Sequence, residues 1–381
     1  MKILIISPFF FPSKAVGALR MTSLVRYLTQ YDDIEITVIK NAEPSSEKLQ
    51  PICKEIEVNS RRSDYLSAFF AYKKACKKAV KKEKYDWCII SCGPFYTLLC
   101  GVYLKSRYNI PYILDYRDFW DNERIQTHLT IKRTINLLAV KNSQAVTVVS
   151  PGMKNRLLED YHYAFLNVHV IMNGYEAVTI KEKEIEEKET DEDRFVVGIL
   201  GKFSYYSPQH AKEFLEAVSH LRESGINIQI LHIGDEEREL VSLLEQYNLK
   251  DHSYMCTGRV TYDKALSYMA RTNCGLLITA DEKIGYGTKI FDYIMLNKPM
   301  IIISSESQGE YSQLAEEFEN AYVASRIGEI INILNMLYSN KISKLTNREK
   351  TEKYDRKYQN KKFEKLLRAE EDLKNEPMAG K

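Results

Sequence analysis

Short, almost uninterrupted apolar runs recur along this chain, and stretches with helical spacing lie between them. KILIIS (2–7) precedes a helix-like 15–31, then EITVIK (35–40) and ICKEIEV (52–58) follow. Helix-like 63–84 leads to WCIISC (87–92), 95–108 to PYILDY (111–116), 128–142 to AVTVVS (145–150), and 152–161 to VHVIMN (168–173). Runs apolar at successive positions suit strands buried on both faces, and amphipathic helices supply the covers. The pattern breaks at KEKEIEEKETDED (181–193), which carries charge but no apolar stripe and reads as a solvated linker. It then restarts with FVVGIL (195–200), NIQILHIG (227–234), SYMCTG (253–258), CGLLIT (274–279) and PMIIIS (299–304), again with helices between. The expectation is α/β, with two parallel-sheet units at 1–178 and 194–340, a linker at 179–193 and a helix-forming tail at 341–381. The tail is expected to pack back on the first unit, and its last residues, EPMAGK, to be disordered.

At 381 residues the chain is long enough for two full cores. Its 54 basic and 52 acidic residues leave a net charge of +2, which gives nucleic acid no global attraction. No apolar run reaches the roughly 18 residues of a membrane-spanning helix. The N-terminal apolar run is too short for a signal peptide and reads as a first strand. Seven cysteines, an odd number without CxxC spacing, lie mostly in apolar runs, as buried thiols of a reducing cytosol would. No Cys/His group has the spacing of a zinc site.

Open parallel sheets take ligands at the carboxyl ends of their strands. The most suggestive such end is Gly285-Tyr-Gly-Thr-Lys-Ile-Phe-Asp-Tyr-Ile294. Gly285 and Gly287 permit a sharp turn, Thr288 is a candidate cap, and a helix start favours an anion. Lys289 adds a charge, and Asp292, one turn on, offers a carboxylate to sugar hydroxyls. An ordinary loop–helix junction is the plain alternative. Asp115-Tyr-Arg-Asp-Phe-Trp120 sets two carboxylates and Arg117 at another strand exit, where charge is costly unless paired or at a cleft. Its alternatives are an Asp–Arg ion pair and substrate recognition or proton transfer by Asp115 or Asp118. Lys202 follows a strand end and could neutralise phosphate. Backbone groups and Arg259 near Val260 could hold a base. Gly17 could let the chain approach a ligand, Ser91 and Pro94 suit a helix start, and Asn173-Gly174 reads as a turn or hinge.

Nine basic residues lie between Arg61 and Lys84. Lys73, Lys77 and Lys81, with Lys74, Lys78 and Lys82, repeat every four residues and would form one helix face. Either this face is simply solvated, or it meets an anionic membrane, where each basic residue contributes on the order of 1 kcal/mol.

ILDYRDFW, VIMNGYE, GILGKF, HIGDEERE and GYGTKIFDY, in this order over some 300 residues, resemble the GT4-like retaining glycosyltransferases of polysaccharide gene clusters. The resemblance implies the GT-B fold: two Rossmann-like doubly wound domains facing across a cleft, an acceptor on the first and a nucleoside-diphosphate sugar on the second. It implies no metal or other cofactor. Asp292 matches the second acid of the family's Glu-x7-Glu element. The first acid falls on Ile284, with Asp281 or Glu282 as substitutes. Gly287 and the amides after it match the diphosphate cradle, Lys202 a phosphate-binding arginine, and Arg259-Val260 the base-contacting loop. Arg117 stands where members often carry histidine. The expected activity is transfer, with retention, to a surface glycan such as capsule or O-antigen, or to its lipid carrier. The expected location is the cytoplasm, peripheral on the inner membrane face. A nucleotide-sugar epimerase of the same fold, or a non-catalytic binding subunit, are the alternatives.

Overall fold

The computed structural model describes residues 1–13, 16–43, 50–60, 64–120, 129–161, 167–177, 194–251, 253–340 and 348–375. The expected linker at 179–193, Arg61, Arg62 and the terminal EPMAGK lie outside the described residues. The chain forms two compact units, Met1–Asn173 with Arg356–Lys381, and Gly174–Asp355.

The first unit contains β1 (Lys2–Ile6), α1 (Val16–Leu28), β2 (Glu35–Asn41), β3 (Lys54–Val58), α2 (Tyr65–Lys82), β4 (Trp87–Cys92), α3 (Leu98–Tyr108), β5 (Tyr112–Tyr116), α4 (Leu129–Asn142), β6 (Ala145–Val148), α5 (Pro151–Asp160) and β7 (Val168–Val170). Its seven strands run in the order β3-β2-β1-β4-β5-β6-β7, all parallel. β4 and β5 are buried along their whole length, as their continuous apolar sequence requires. Their side chains alternate between two cores: Ile90, Tyr112 and Leu114 join Tyr72 and Leu104 on one face, while Ile89 and Ile113 join Leu24 and Leu28 of α1 on the other. Helix starts are set by side-chain caps. Asp64 accepts from the Ser67 amide at 3.1 Å, and Ser150 from the Met153 amide at 3.2 Å.

The second unit contains β8 (Phe195–Leu200), α6 (Pro208–Glu223), β9 (Ile228–Ile233), α7 (Arg238–Gln246), β10 (Tyr254–Cys256), α8 (Tyr262–Ala270), β11 (Cys274–Ile278), α9 (Lys289–Met295), β12 (Met300–Ile303), α10 (Glu310–Ala315), β13 (Ala321–Ala324), α11 (Ile327–Asn340) and α12 (Arg348–Glu352). Its six strands run β10-β9-β8-β11-β12-β13, again all parallel. Ser207 caps α6, with Pro208 at the first helical position where a missing N–H is harmless.

The C-terminal segment divides between the units. α12 remains with the second, where Tyr354 packs against Phe291 and Phe318. The last helix, α13 (Arg356–Asn375), belongs to the first unit and lies against α1, burying Phe363, Leu366 and Leu367. Gln359 accepts from the Met172 amide at 2.8 Å, and Lys362 donates to the Val170 carbonyl at 2.5 Å.

Candidate functional site

In each sheet the strand order reverses once, between β1 and β4 in the first unit and between β8 and β11 in the second. Loops leaving the two strands at such a point diverge and leave a crevice at their carboxyl ends. Both reversals hold charged side chains singled out from the sequence.

In the second unit β8 and β11 pair at Cys274–Val197 and Gly275–Gly198 and then part. The buried Tyr293 hydroxyl bridges the fork, accepting from the Leu200 amide at 3.2 Å and donating to the Leu276 carbonyl at 2.9 Å. β8 runs into Gly201, which takes a left-handed φ of 67°. A side chain there would be strained and would press on the Lys289 Cε. The Gly201 carbonyl lies 2.6 Å from Nε2 of His232, whose Nδ1 is 2.8 Å from the Tyr254 hydroxyl. Burial lowers the His232 pKa, and the Gly201 carbonyl partly opposes that. Glu237 accepts from the Phe203 and Ser204 amides at 2.7 and 3.0 Å and from the Ser204 hydroxyl at 2.6 Å. Burial works against its charge, yet these bonds hold its carboxyl below the ordinary range.

This fixed loop carries two lysines. Lys202 is exposed. Lys289 opens α9 half-buried, donates to the Lys202 carbonyl at 3.0 Å and stands over the Tyr206 ring. Burial, with the Lys202 charge beside it, brings the Lys289 pKa down to about 8, against the pull of Glu237 and Asp292. Asp292 accepts from the Tyr262 hydroxyl at 2.5 Å, so this carboxylate is already oriented from α8. Arg259 is exposed and ion-paired with Asp235 at 2.7 Å, and Val260 is half-buried beside it.

The glycine loop differs in detail from expectation. Gly285 turns with a φ of 88°. Thr288, however, has helical dihedrals and makes no side-chain cap bond. The Gly287 amide is engaged already, donating to the Tyr311 hydroxyl at 2.6 Å. The Gly285 amide donates to the carboxylate of Glu310, a buried residue whose own amide returns a bond to the Lys283 carbonyl at 3.1 Å. The turn is therefore held by the start of α10, a segment in which the sequence shows no site-like signal. Ile284 is 37% exposed. Asp281, left-handed at φ 57°, is tied to His210 Nε2 at 2.9 Å and the Ser305 amide at 2.6 Å. Despite partial burial, His210 and Ser305 keep its carboxyl below the ordinary range. Glu282 is exposed and folds back onto the Ala280 amide.

In the first unit Asp115 is wholly buried, and its partner is Arg20 of α1 rather than Arg117. Arg20 reaches it through Nε at 2.9 Å and Nη2 at 2.7 Å, while Thr147 donates at 2.6 Å. Arg20 Nη1 also donates to the Met172 carbonyl at 2.8 Å. Enclosed this way, Asp115 is a structural anchor between α1, β5 and β6, not a group that can meet substrate. Arg20 was not legible as its partner, because the two are 95 positions apart. Asp118 is exposed. Arg117 turns toward the strand-order reversal, donating from Nη2 to the Gly93 carbonyl at 2.5 Å. A Cβ at Gly17 would overlap its Nη1, so Gly17 leaves room for the Arg117 guanidinium. Trp120 stacks between Phe95 and Tyr65, at centroid distances of 5.4 and 6.0 Å. Ser91 is a buried strand residue and not a cap; the cap position of the short helical turn Phe95–Thr97 falls to Pro94, which supplies no side-chain bond.

On α2, Lys74, Lys77, Lys78, Lys81 and Lys82 are exposed. Lys73, one turn before Lys77, is less exposed than these. It is half-buried, with its ammonium 4.9 Å from the Tyr103 ring centre and 5.9 Å from that of Phe69. Leu66 and Phe70, one turn apart at the start of α2, are 72% and 60% exposed. Among the described residues no helix is long and apolar enough to cross a membrane.

Two protein-family models match the chain: Glycosyltransferase Family 4 over residues 18–177, and Glycosyl transferases group 1 over residues 180–373, more than half of the chain. No curated protein sequence matches it. Solved structures do. A sucrose-phosphate synthase from Thermosynechococcus elongatus is 14% identical, with 97% of this chain and 98% of that one covered and a TM-score of 0.73. Anabaena HepE in complex with UDP is 16% identical, at 97% and 100% coverage and a TM-score of 0.71. The UDP-GlcNAc 2-epimerase of Methanocaldococcus jannaschii is 14% identical, at 97% and 100% coverage and a TM-score of 0.61. At such identities the likeness is one of fold. The two parallel sheets, of seven and six strands, are those of the GT-B fold.

Proposed function

The chain belongs to the group 1 glycosyltransferases, with a family 4 N-terminal half, and from this premise we propose that it moves a sugar from a nucleoside-diphosphate donor to a surface glycan or its lipid-linked precursor, with retention at the anomeric carbon. The observation that carries the reading is the pair of lysines at the reversal point of the second sheet, Lys289 held on the carbonyl of Lys202. Departure of a diphosphate leaves negative charge behind. Fixed cations in a partly desolvated loop stabilise that charge far better than mobile ones in water. Lys202 and Lys289 take this role, and the amides of Thr288 and Lys289 assist. The reading needs no metal, because the lysines supply the positive charge.

Asp292, oriented by Tyr262, accepts hydrogen bonds from donor hydroxyls, and Arg259 with Val260 contacts the base. The acceptor hydroxyl bonds to the anomeric carbon on the face from which the diphosphate leaves. Asp118, exposed at the end of β5, orients the acceptor; Asp115 only supports that strand end through Arg20. HepE, which binds UDP in its crystal, supports a nucleotide on this fold. We further propose a cytoplasmic protein that meets the anionic inner membrane face through the exposed lysines of α2, with Leu66 and Phe70 entering the interface.

The test is a thermal-shift panel of nucleoside diphosphates and nucleotide sugars, since a ligand of the folded state alone raises the melting temperature. The best donor is then incubated with and without a lipid-linked glycan acceptor. Transfer only with acceptor is the expected result. A changed sugar without acceptor would identify an epimerase, and donor binding without turnover a non-catalytic subunit.

A further inference from the structure

We infer that Arg117 is the receptor for an anionic group, a phosphate or a carboxylate, carried by the sugar acceptor. The inference rests on the transfer reading above for the word acceptor, but the anion site itself stands on the first unit alone.

The two arginines of this region differ in how they are satisfied. Arg20 has a carboxylate on its Nε and Nη2 and a carbonyl on its Nη1. Every nitrogen of Arg20 thus has an acceptor, and its charge has a counter-ion. Arg117, two positions after Asp115, is half-buried, and among the described residues it has one hydrogen bond, to the Gly93 carbonyl. Its Nε is enclosed without an acceptor. Among the described residues no carboxylate lies within ion-pair distance of it. Asp115 is committed to Arg20, and Asp118 is exposed. A guanidinium carries five N–H donors and cannot shed its proton to escape burial. The cost of that burial shows in its lowered proton affinity, which Asp115 and Asp118 only partly restore and Arg20 worsens.

The surroundings keep this cation in place. Gly17 leaves room for Nη1, where any larger residue would overlap it, and Gly93 presents its carbonyl from a left-handed turn at φ 90°. Both flank the reversal between β1 and β4, the crevice position of the sheet. A residue needed only to fill this space would not have to be charged. A planar fork with no counter-ion among the described residues fits a two-oxygen anion, which would supply acceptors and charge together. Of the ligands the proposed reaction brings, the donor's diphosphate is met by Lys202 and Lys289 in the other unit, which leaves the acceptor as the anion's carrier.

The full chain is titrated by ligand-observed NMR, with UDP in excess, against α-D-glucose 1-phosphate, methyl α-D-glucuronide and neutral methyl α-D-glucoside. One or both anionic sugars should bind, at least tenfold more weakly to Arg117→Gln, while the neutral sugar shows no such difference. The two anionic probes separate phosphate from carboxylate recognition. Arg117→Lys keeps the charge without the fork and should weaken binding several-fold; it carries the test if Arg117→Gln does not fold. UDP affinity should be the same in all three proteins. The inference is overturned if neither anionic sugar binds, if binding survives Arg117→Gln, if it is lost in Lys289→Ala instead, or if UDP affinity falls with Arg117. If anionic sugars depend on Arg117 but no nucleoside diphosphate binds, the transfer reading fails and the anion site stands.

Discussion

The Lys289 ammonium sits 3.0 Å from the Lys202 carbonyl oxygen, so one lysine of the pair holds the loop that displays the other. The two therefore differ as targets. Lys202 is exposed, and Lys202→Ala should leave stability within about 0.5 kcal/mol of the parent. Lys289→Ala removes both a cation and a tether, so the loop loses order as well as charge. Each change should slow sugar transfer by one to a few orders of magnitude, on the scale of a lost oxyanion contact of ~3 kcal/mol. Single-turnover rates on both variants check this. Full rates in both singles and in the double would remove the diphosphate assignment.

Lys289 also sets a pH dependence with two opposite signs. Its pKa in the folded protein is about 8, against 10.5 ordinarily. Between those values the unfolded chain holds a proton that the folded one has released. Stability credited to this group therefore rises with pH across the window. Diphosphate binding runs the other way. It needs the ammonium, so affinity is highest below pH ~8 and declines above it. Calorimetric titration with the nucleoside diphosphate in the panel's best donor should show proton uptake near pH 8 and none with Lys289→Arg, which stays charged. The same slope in Lys289→Arg would assign the dependence to another group.

The strand–helix alternation was legible because buried parallel strands leave continuous apolar runs, whereas the point at which the chain returns to the first unit, Arg356, was not. The placing of Lys202, Lys289 and Asp292 after strand ends was legible in the same way, because a charge that follows an apolar strand faces a crevice or a partner. What stayed hidden are pairings across long sequence separations. Arg20 with Asp115, Glu310 with Gly285, and Tyr311 with Gly287 join segments whose adjacency only the folded sheet creates. The contact of Gly17 with Arg117 is hidden likewise, since only the fold brings the two together.

Asp115 and Asp118, three positions apart, should respond oppositely. Asp115→Ala leaves Arg20 buried without its counter-charge, and breaking a buried pair costs roughly 3–5 kcal/mol. Urea unfolding should show that loss. Asp118→Ala should be nearly silent in unfolding yet raise the KM for acceptor. If Asp115→Ala keeps its stability and loses only turnover, the structural assignment is wrong.

Membrane contact through α2 should depend on charge first and on the apolar pair second. The full chain should sediment with anionic vesicles and not with neutral ones. Neutralising Lys74, Lys77, Lys78, Lys81 and Lys82 should abolish this, since each exposed lysine contributes on the order of 1 kcal/mol. Lys73→Gln alone should matter less, because that ammonium is spent on the Tyr103 and Phe69 rings. Equal binding to both vesicle types would refute an electrostatic attachment.

Glu310 tests whether the glycine loop shapes the donor site. Its carboxylate accepts the Gly285 amide while its amide donates to Lys283, so one residue pins both sides of the turn that leads to Lys289. Glu310→Ala removes a charge-assisted bond in a buried place and should cost roughly 1–3 kcal/mol. It should also weaken nucleotide binding, because the turn that precedes Lys289 loses its brace. Glu310→Gln keeps an acceptor oxygen and should retain most of both. Paired unfolding and nucleotide titrations on the two variants separate the effects. A destabilised Glu310→Ala protein with unchanged nucleotide affinity would mean that the loop supports the fold of the second unit but not the seat of the diphosphate.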